Sequence, residues 1–302
     1  MSFIQKIFAG IFFLVSMMAT GAIASDHFPS PPNKIQHPYP DVAVTTLKSA
    51  QTLLKEFEQY DYTLAGLAQS HTLPAIYVET LPHDLNSLPV KQKTSGFIRL
   101  LLPTISEVNQ HILDVRQTLL TIEKRPQTNW SKAERQWVES LLKDYDVKSG
   151  KIEDLLLQVD IIPVGMALAQ GIDESGWGTS HFAIEGSNLY GEHLSSRGGK
   201  YLTTPGGHVK VAAFDNLFAG TASYMHNLNT TDAYKDMWLL RKQLRSENNL
   251  TGRQLIQALS HYSTRGQAYV DNLAALIKHH NLDSFDHLQL ESDKPTRIRL
   301  SN

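Results

Sequence analysis

The 302-residue sequence contains no cysteine. That excludes disulfide staples, thiolate metal ligands and a lipidated N-terminal cysteine, so stability has to come from packing. A dense Lys/Arg run is also missing, and 28 basic against 30 acidic residues leave a net charge of −2. Nucleic acid is therefore excluded as an expected partner. The 13 histidines show neither H-E-x-x-H nor another regular ligand spacing, so no metal site is expected. Gly198-Gly199 and Gly206-Gly207 read as turn glycines rather than a phosphate loop, and no cofactor is expected. Ser175 lacks the G-x-S-x-G context of an esterase nucleophile.

What is present begins with Lys6, an apolar run from Ile7 to Met18, and Ala22-Ile23-Ala24. This order reads as a signal peptide over residues 1–24, cleaved after Ala24. The run is shorter than the ~20 apolar residues of a membrane span. The expectation is an exported protein, periplasmic or secreted, with no membrane attachment after cleavage. A leader over 25–41 follows, carrying Pro29, Pro31, Pro32, Pro38 and Pro40, and its prolines argue against helix.

Residues 42–158 read as a helical N-terminal region. Val44, Leu47, Leu54 and Phe57 give a helical pattern over 42–60, and a proline-containing stretch around Leu73–Val78 reads as extended. Lys91–Glu123 is strongly apolar and helical, with two helices or a kink expected at Pro103. Ser131 and Glu134 form a capping-box signature for another helix. A second domain is expected over 159–284, opening with a helix from Pro163 to about Glu174. Turn glycines and period-two alternation from Gly198 to Phe214 predict a β-hairpin, with further helices beyond it at 216–228, 232–245, 251–262 and 267–280. The tail, 285–302, looks loosely held. The fold class is mainly α, or α+β, with one small hairpin.

The chemistry is concentrated in Ala167 to Ser180. Ala167, Gly171 and Glu174 are spaced four and three apart and share one helix face, which leaves open space above a terminal carboxyl. Desolvation at the end of an apolar helix raises a carboxyl pKa, as a general acid near neutral pH requires. Trp177, between two glycines, offers an aromatic face to a sugar ring. The competing reading stays open: most helix glutamates are solvated and most tryptophans belong to the core.

The run Ala169-Gln170, Glu174-Ser175-Gly176-Trp177-Gly178-Thr179-Ser180, Phe182-Ala183 and Asn188-Leu189-Tyr190-Gly191 resembles the core motif of the bacterial glucosaminidases of glycoside hydrolase family 73. Tyr262-Ser263 and Gly266-Gln267-Ala268-Tyr269 resemble that family's terminal tyrosine motif. Leu81-Pro82-His83-Asp84-Leu85-Asn86-Ser87-Leu88-Pro89-Val90 and Phe97–Pro103 are similar to the N-terminal region of the Bax group within it. The resemblance implies a lysozyme-like fold, with the acid at the end of the first core helix facing a groove between a helical lobe and a β-lobe. It implies an endo-β-N-acetylglucosaminidase that cuts the β-1,4 bond after N-acetylglucosamine in peptidoglycan glycan strands. Glu174 would be the general acid and Tyr262 a second catalytic group. Trp177, Asn188, Tyr190, Glu192 and Tyr269 would bind substrate.

The sequence departs from the two-carboxylate scheme of most glycosidases. Nothing acidic occurs from His193 to Phe214, which leaves Glu192 and Asp215 as the nearest second acids. Substrate assistance, with the acetamido carbonyl attacking its own anomeric carbon, removes the need for one. Two alternatives stand beside this reading. A lytic transglycosylase or muramidase would carry an A-x-G-L-M-Q-like stretch where Asn188-Leu189-Tyr190-Gly191 stands. A peptidoglycan-binding protein without turnover is the other.

Overall fold

A computed structural model describes residues 28–301, apart from positions 197, 205 and 208. The signal-peptide reading of 1–24 lies outside the described residues. In chain order the elements are β1 (Val44–Leu47), α1 (Ala50–Gln59), α2 (Leu64–Ser70), β2 (Thr72–Val78), α3 (Val90–Glu123), α4 (Lys132–Asp144), α5 (Ile152–Gln158) and α6 (Val164–Ser175). They continue as α7 (His181–Gly186), β3 (Tyr201–Thr203), β4 (Lys210–Ala212), α8 (Leu217–Thr230), α9 (Lys235–Ser246), α10 (Gly252–Leu255), α11 (Gln267–His280) and β5 (Gln289–Leu300). The mainly helical α+β architecture and its antiparallel β3–β4 hairpin agree with the sequence reading.

The C-terminal tail does not. It is β5, the central strand of a parallel three-stranded sheet ordered β1-β5-β2. Ile298 and Leu300 are buried, while the alternating Arg297 and Arg299 turn to the other face and clamp the buried Glu79 at 2.8 and 2.5 Å. The two prolines of this sheet sit where the ladder is irregular. Register jumps from Pro74↔Glu291 to Ile76↔Thr296, so Pro295 lies in the bulged stretch and costs no regular ladder bond.

The N-terminal region also differs in detail. Residues 42–60 are not one helix. The β-branched Val44-Thr45-Thr46 run forms β1, and Ser49 then caps α1 in a capping box with Thr52. In the proline-rich leader, Pro32–Lys34 makes one short 3₁₀ turn, which a proline in its first position permits. Phe28 stacks on Trp137 at 5.0 Å and anchors that leader to α4.

Helix α3 runs unbroken for 34 residues through Pro103. Proline lacks the N–H that would bond the Arg99 carbonyl one turn earlier. The buried Tyr62 hydroxyl donates to that carbonyl instead, at 2.8 Å, and the Arg99 guanidinium returns a bond to the Tyr62 carbonyl. The expected break is therefore repaired by a tertiary contact. Helix α6 packs between α3 and α11, with Ala167, Leu168 and Ala169 fully buried. Its first turn is fixed by Asp286, whose carboxylate accepts from Gly165 N at 2.7 Å and from Gly252 N at 2.8 Å. The helix that ends in Glu174 is thus held at both ends.

Candidate active site

The Glu174-Ser175-Gly176-Trp177-Gly178 turn has a structural logic of its own. Gly176, Trp177 and Gly178 are all left-handed, which stops α6 abruptly after the acid. Ser175 is buried, bonds the Gly171 carbonyl and accepts from Gly178 N at 2.7 Å. A Cβ on Gly178 would sit 2.6 Å from Phe97, so only glycine fits there. The same turn sets the position of Trp177. It does not line the groove but meets Phe97 and His280 edge-on, at 6.0 and 4.8 Å, as part of the core margin.

Glu174 opens onto a groove of about 850 Å³. Tyr190, Gly191, Glu192 and Tyr262 line it, and so do Asp144 at the end of α4 and Asp146 in the turn that follows. Side-chain exposure at Glu174 is 23%, and burial raises its pKa above the ordinary carboxylate range. A hydrogen bond with Tyr269 and the charge of Arg265 act against that rise, while Asp173 adds to it. The net direction keeps a transferable proton available at higher pH than a solvated glutamate would.

Behind Glu174 is a chain of buried polar groups. Tyr224 donates to Gln170 Oε1 at 2.6 Å, and Gln170 Nε2 donates to the Tyr269 hydroxyl at 3.0 Å. Tyr269 then hydrogen-bonds Glu174. Tyr269 is fully buried, behind Glu174 rather than on the groove lining. Gln170, Tyr224 and Arg265 escaped sequence reading. Gln170 lies one turn before Glu174 and was open to inference from that spacing; the other two come from distant helices and turns. Arg265 pairs with Asp173, lies 3.8 Å from Glu174 and stacks over Tyr269 at 4.6 Å.

Tyr262 lines the groove, stacks parallel to Tyr269 at 5.4 Å and donates to the Tyr190 carbonyl at 3.1 Å. Tyr190 is stacked on Tyr224 at 3.7 Å beneath the groove wall. Asn188 is taken up by backbone groups. Its Nδ2 donates to Glu192 O and Ala212 O at 2.8 and 2.9 Å, and its Oδ1 accepts from Glu192 N at 3.0 Å. With its amide consumed by backbone and its side chain buried, it locks the loop rather than binding sugar.

The two candidate second acids separate cleanly. Asp215 is exposed, paired with Lys200, and borders a different depression near Tyr39. Glu192 lines the groove itself; burial pushes its carboxyl up to about 7, against a hydrogen bond from Ser223 at 3.0 Å. Gly191, in the left-handed region at φ 69°, brings the backbone alongside the acid, since a Cβ there would be 3.4 Å from Glu174 Oε2. Among the described residues, no group of three or more His, Cys, Asp or Glu is placed to hold a metal ion. No helix of the described residues is long and apolar enough to cross a membrane.

The chain is similar to several known proteins. Residues 150–282 match the family described as mannosyl-glycoprotein endo-beta-N-acetylglucosaminidase. Over 203 residues the chain is 35% identical to protein bax of Escherichia coli K12, covering 65% of this chain and 73% of that protein. Among solved structures, the catalytic domain of the autolysin Auto from Listeria monocytogenes shares 18% identity over 57% of this chain and 87% of its own. Its TM-score of 0.32 is too low to bear on the fold. The identity with protein bax, reaching well outside the 150–282 segment, places the chain as a Bax-type member of the glucosaminidase family of glycoside hydrolases.

Proposed function

We propose that the protein is an endo-β-N-acetylglucosaminidase that cuts peptidoglycan glycan strands after N-acetylglucosamine. The observation that carries this reading is the placement of Glu174. It is a half-buried carboxyl with a raised pKa, at the end of α6, on a groove of about 850 Å³. Glu174 protonates the leaving glycosidic oxygen. Tyr262, beside it on the groove, stabilises the sugar cation that develops.

The nucleophile in this reading is the acetamido carbonyl of the substrate. Asp215 is too exposed and too far from the groove lining to serve. Glu192 is too deeply desolvated to be a fully ionised nucleophile at neutral pH. Export through a cleaved signal peptide would bring the enzyme to the wall, in the periplasm or outside the cell. Mass spectrometry of peptidoglycan digested with the purified protein tests the assignment: products should carry reducing N-acetylglucosamine ends. Ends of 1,6-anhydro-muramic acid would make it a lytic transglycosylase, and undigested strands would make it a binding protein.

A further inference from the structure

We propose that Arg265 is a positioning residue of the reaction: its guanidinium draws negative charge onto Oε1 of Glu174 and so keeps the transferable proton on Oε2, the oxygen on the groove side. The inference rests on the glucosaminidase reading above. It starts from the unequal surroundings of the two oxygens. Oε1 is 3.8 Å from an Arg265 nitrogen, too far for a hydrogen bond but within reach of its charge. Oε2 faces Gly191, where an added Cβ would be 3.4 Å away. Gly191 lines the groove, and Arg265 stands outside that lining. Substrate therefore meets Oε2, with the cation on the other oxygen.

The arginine is anchored rather than free to swing. Both of its terminal nitrogens donate to the Asp173 carboxylate, and its Nε donates to Ser263 Oγ at 3.4 Å. Its guanidinium stacks over the Tyr269 ring at 4.6 Å. Asp173 is fixed in turn by Asn272, whose amide donates to it at 2.6 Å. Gly266, at φ 56°, turns the chain into α11 and so brings Arg265 back over Tyr269. Tyr269 and Asn272 both belong to α11, and Tyr269 is also the hydrogen-bond partner of Glu174. One helix therefore sets the acid and the cation against each other.

The charges around Glu174 show what this cation is for. Burial raises the carboxyl's pKa, and the neighbouring Asp173 on α6 adds to the rise; the Tyr269 bond and Arg265 oppose it. Tyr262, from the turn before α11, feels the charge of Glu174 and of Glu192, the other carboxyl on this part of the groove. As the glycosidic bond breaks, its oxygen keeps the C–O electron pair and takes the proton from Oε2. The O–H pair stays on Glu174 as negative charge, which Arg265 stabilises on Oε1 while it neutralises Asp173. Without the guanidinium, two adjacent carboxylates would repel, and Glu174 would become a weaker acid.

The test measures kcat/KM against pH for the full chain on two substrates: glycan strands, and a soluble strand fragment with a 4-nitrophenyl leaving group on its N-acetylglucosamine. On strands, Arg265→Gln should move the alkaline limb of the profile up by ~1 unit, the low end of the range for a nearby charge because the guanidinium is half exposed. It should lower kcat at neutral pH ~10-fold, less than losing the acid itself, with KM nearly unchanged. Arg265→Lys, which keeps the charge, should hold the limb near its wild-type position. Asp173→Asn should move it down. On the nitrophenyl substrate, whose leaving group needs no proton, Arg265→Gln should recover most of its loss. Thermal unfolding shows whether each variant is folded; if Arg265→Gln is not, the opposite shifts expected of Arg265→Lys and Asp173→Asn carry the test. A folded Arg265→Gln protein with the wild-type profile overturns the proposal, even if its unfolding midpoint falls. So does a lysine variant as impaired as the glutamine one, an upward shift in Asp173→Asn, or an equal loss on both substrates. A wild-type protein inactive on both substrates overturns instead the reading of the enzyme as a glucosaminidase.

Discussion

The α6 wall of the groove and the β3–β4 hairpin are built on opposite terms. On the α6 side, Glu174 is backed by Tyr269, Gln170 and Tyr224 in an unbroken run of buried hydrogen bonds. On the hairpin side, β3 and β4 are three residues each, largely exposed, and their flanking ion pair of Lys200 with Asp215 is solvated at both ends. Glu174 is oriented by the side whose polar groups have no access to water and therefore no alternative partners. Buried networks of that kind fix geometry because breaking any link strands the rest. An exposed hairpin can shape a groove but cannot hold a proton donor to a fraction of an ångström.

The sharpest way to probe this contrast is to remove the proton alone. Glu174→Gln should cost ~10²–10⁴-fold in strand hydrolysis, with an unchanged unfolding midpoint. Near-wild-type turnover by a folded variant would show that the α6 wall does not carry the acid. A second substitution breaks the wall behind it. Gln170→Ala strands the buried Tyr224 hydroxyl, at ~1–3 kcal/mol for the unmet group, and takes from Tyr269 the bond it accepts. Chemical denaturation should show that loss together with reduced activity.

A smaller effect separates the groove's two carboxyls by pH. The Glu192 pKa is about 7 in the folded protein against 4.5 ordinarily, so the folded state binds more protons than the unfolded one between those values. Stability must then fall as pH rises through that window. Replacing Glu192 by Gln removes the penalty, so the variant should gain on wild type by ~1 kcal/mol or more between pH 4.5 and 7. A difference that is flat with pH would show that Glu192 is not desolvated. The smallest effect belongs to the hairpin. Asp215→Asn should leave hydrolysis intact and shift stability by no more than ~1 kcal/mol, as for other exposed ion pairs; a large loss of activity would mean that the exposed hairpin does take part in the chemistry.

Sequence patterns reached far into this molecule where they are local. The capping box at Ser131 and Glu134 forms as expected, and the hairpin follows its turn glycines. The helix from Pro163 ends where Gly176 enforces a left-handed residue, one position past Ser175. Misreadings arose where long-range contacts override local preference. Pro103 would break a helix in isolation, and Tyr62 prevents that from outside the helix. Residues 289–300, with an Arg-Ile-Arg-Leu alternation near their end, carried a strand signal, but their charge made them read as tail. Glu79, more than two hundred residues earlier, is the partner that holds both arginines on the face opposite Ile298 and Leu300.

The site divides in the same way. By itself, the sequence determined that Glu174 ends an apolar helix beside an abrupt glycine turn, and its order of motifs marked the glucosaminidase family. Helix periodicity and backbone sterics act over a few residues, so they can be read from neighbours. Only the tertiary structure decided which side chains reach the groove. It packed Trp177 against the edge of the core, committed Asn188 to backbone groups, sank Tyr269 behind Glu174 and buried the Glu192 carboxyl. Those outcomes depend on desolvation and on partners supplied by α8, α11 and the 188–192 loop, and burial is a property of the packed chain that no local pattern encodes.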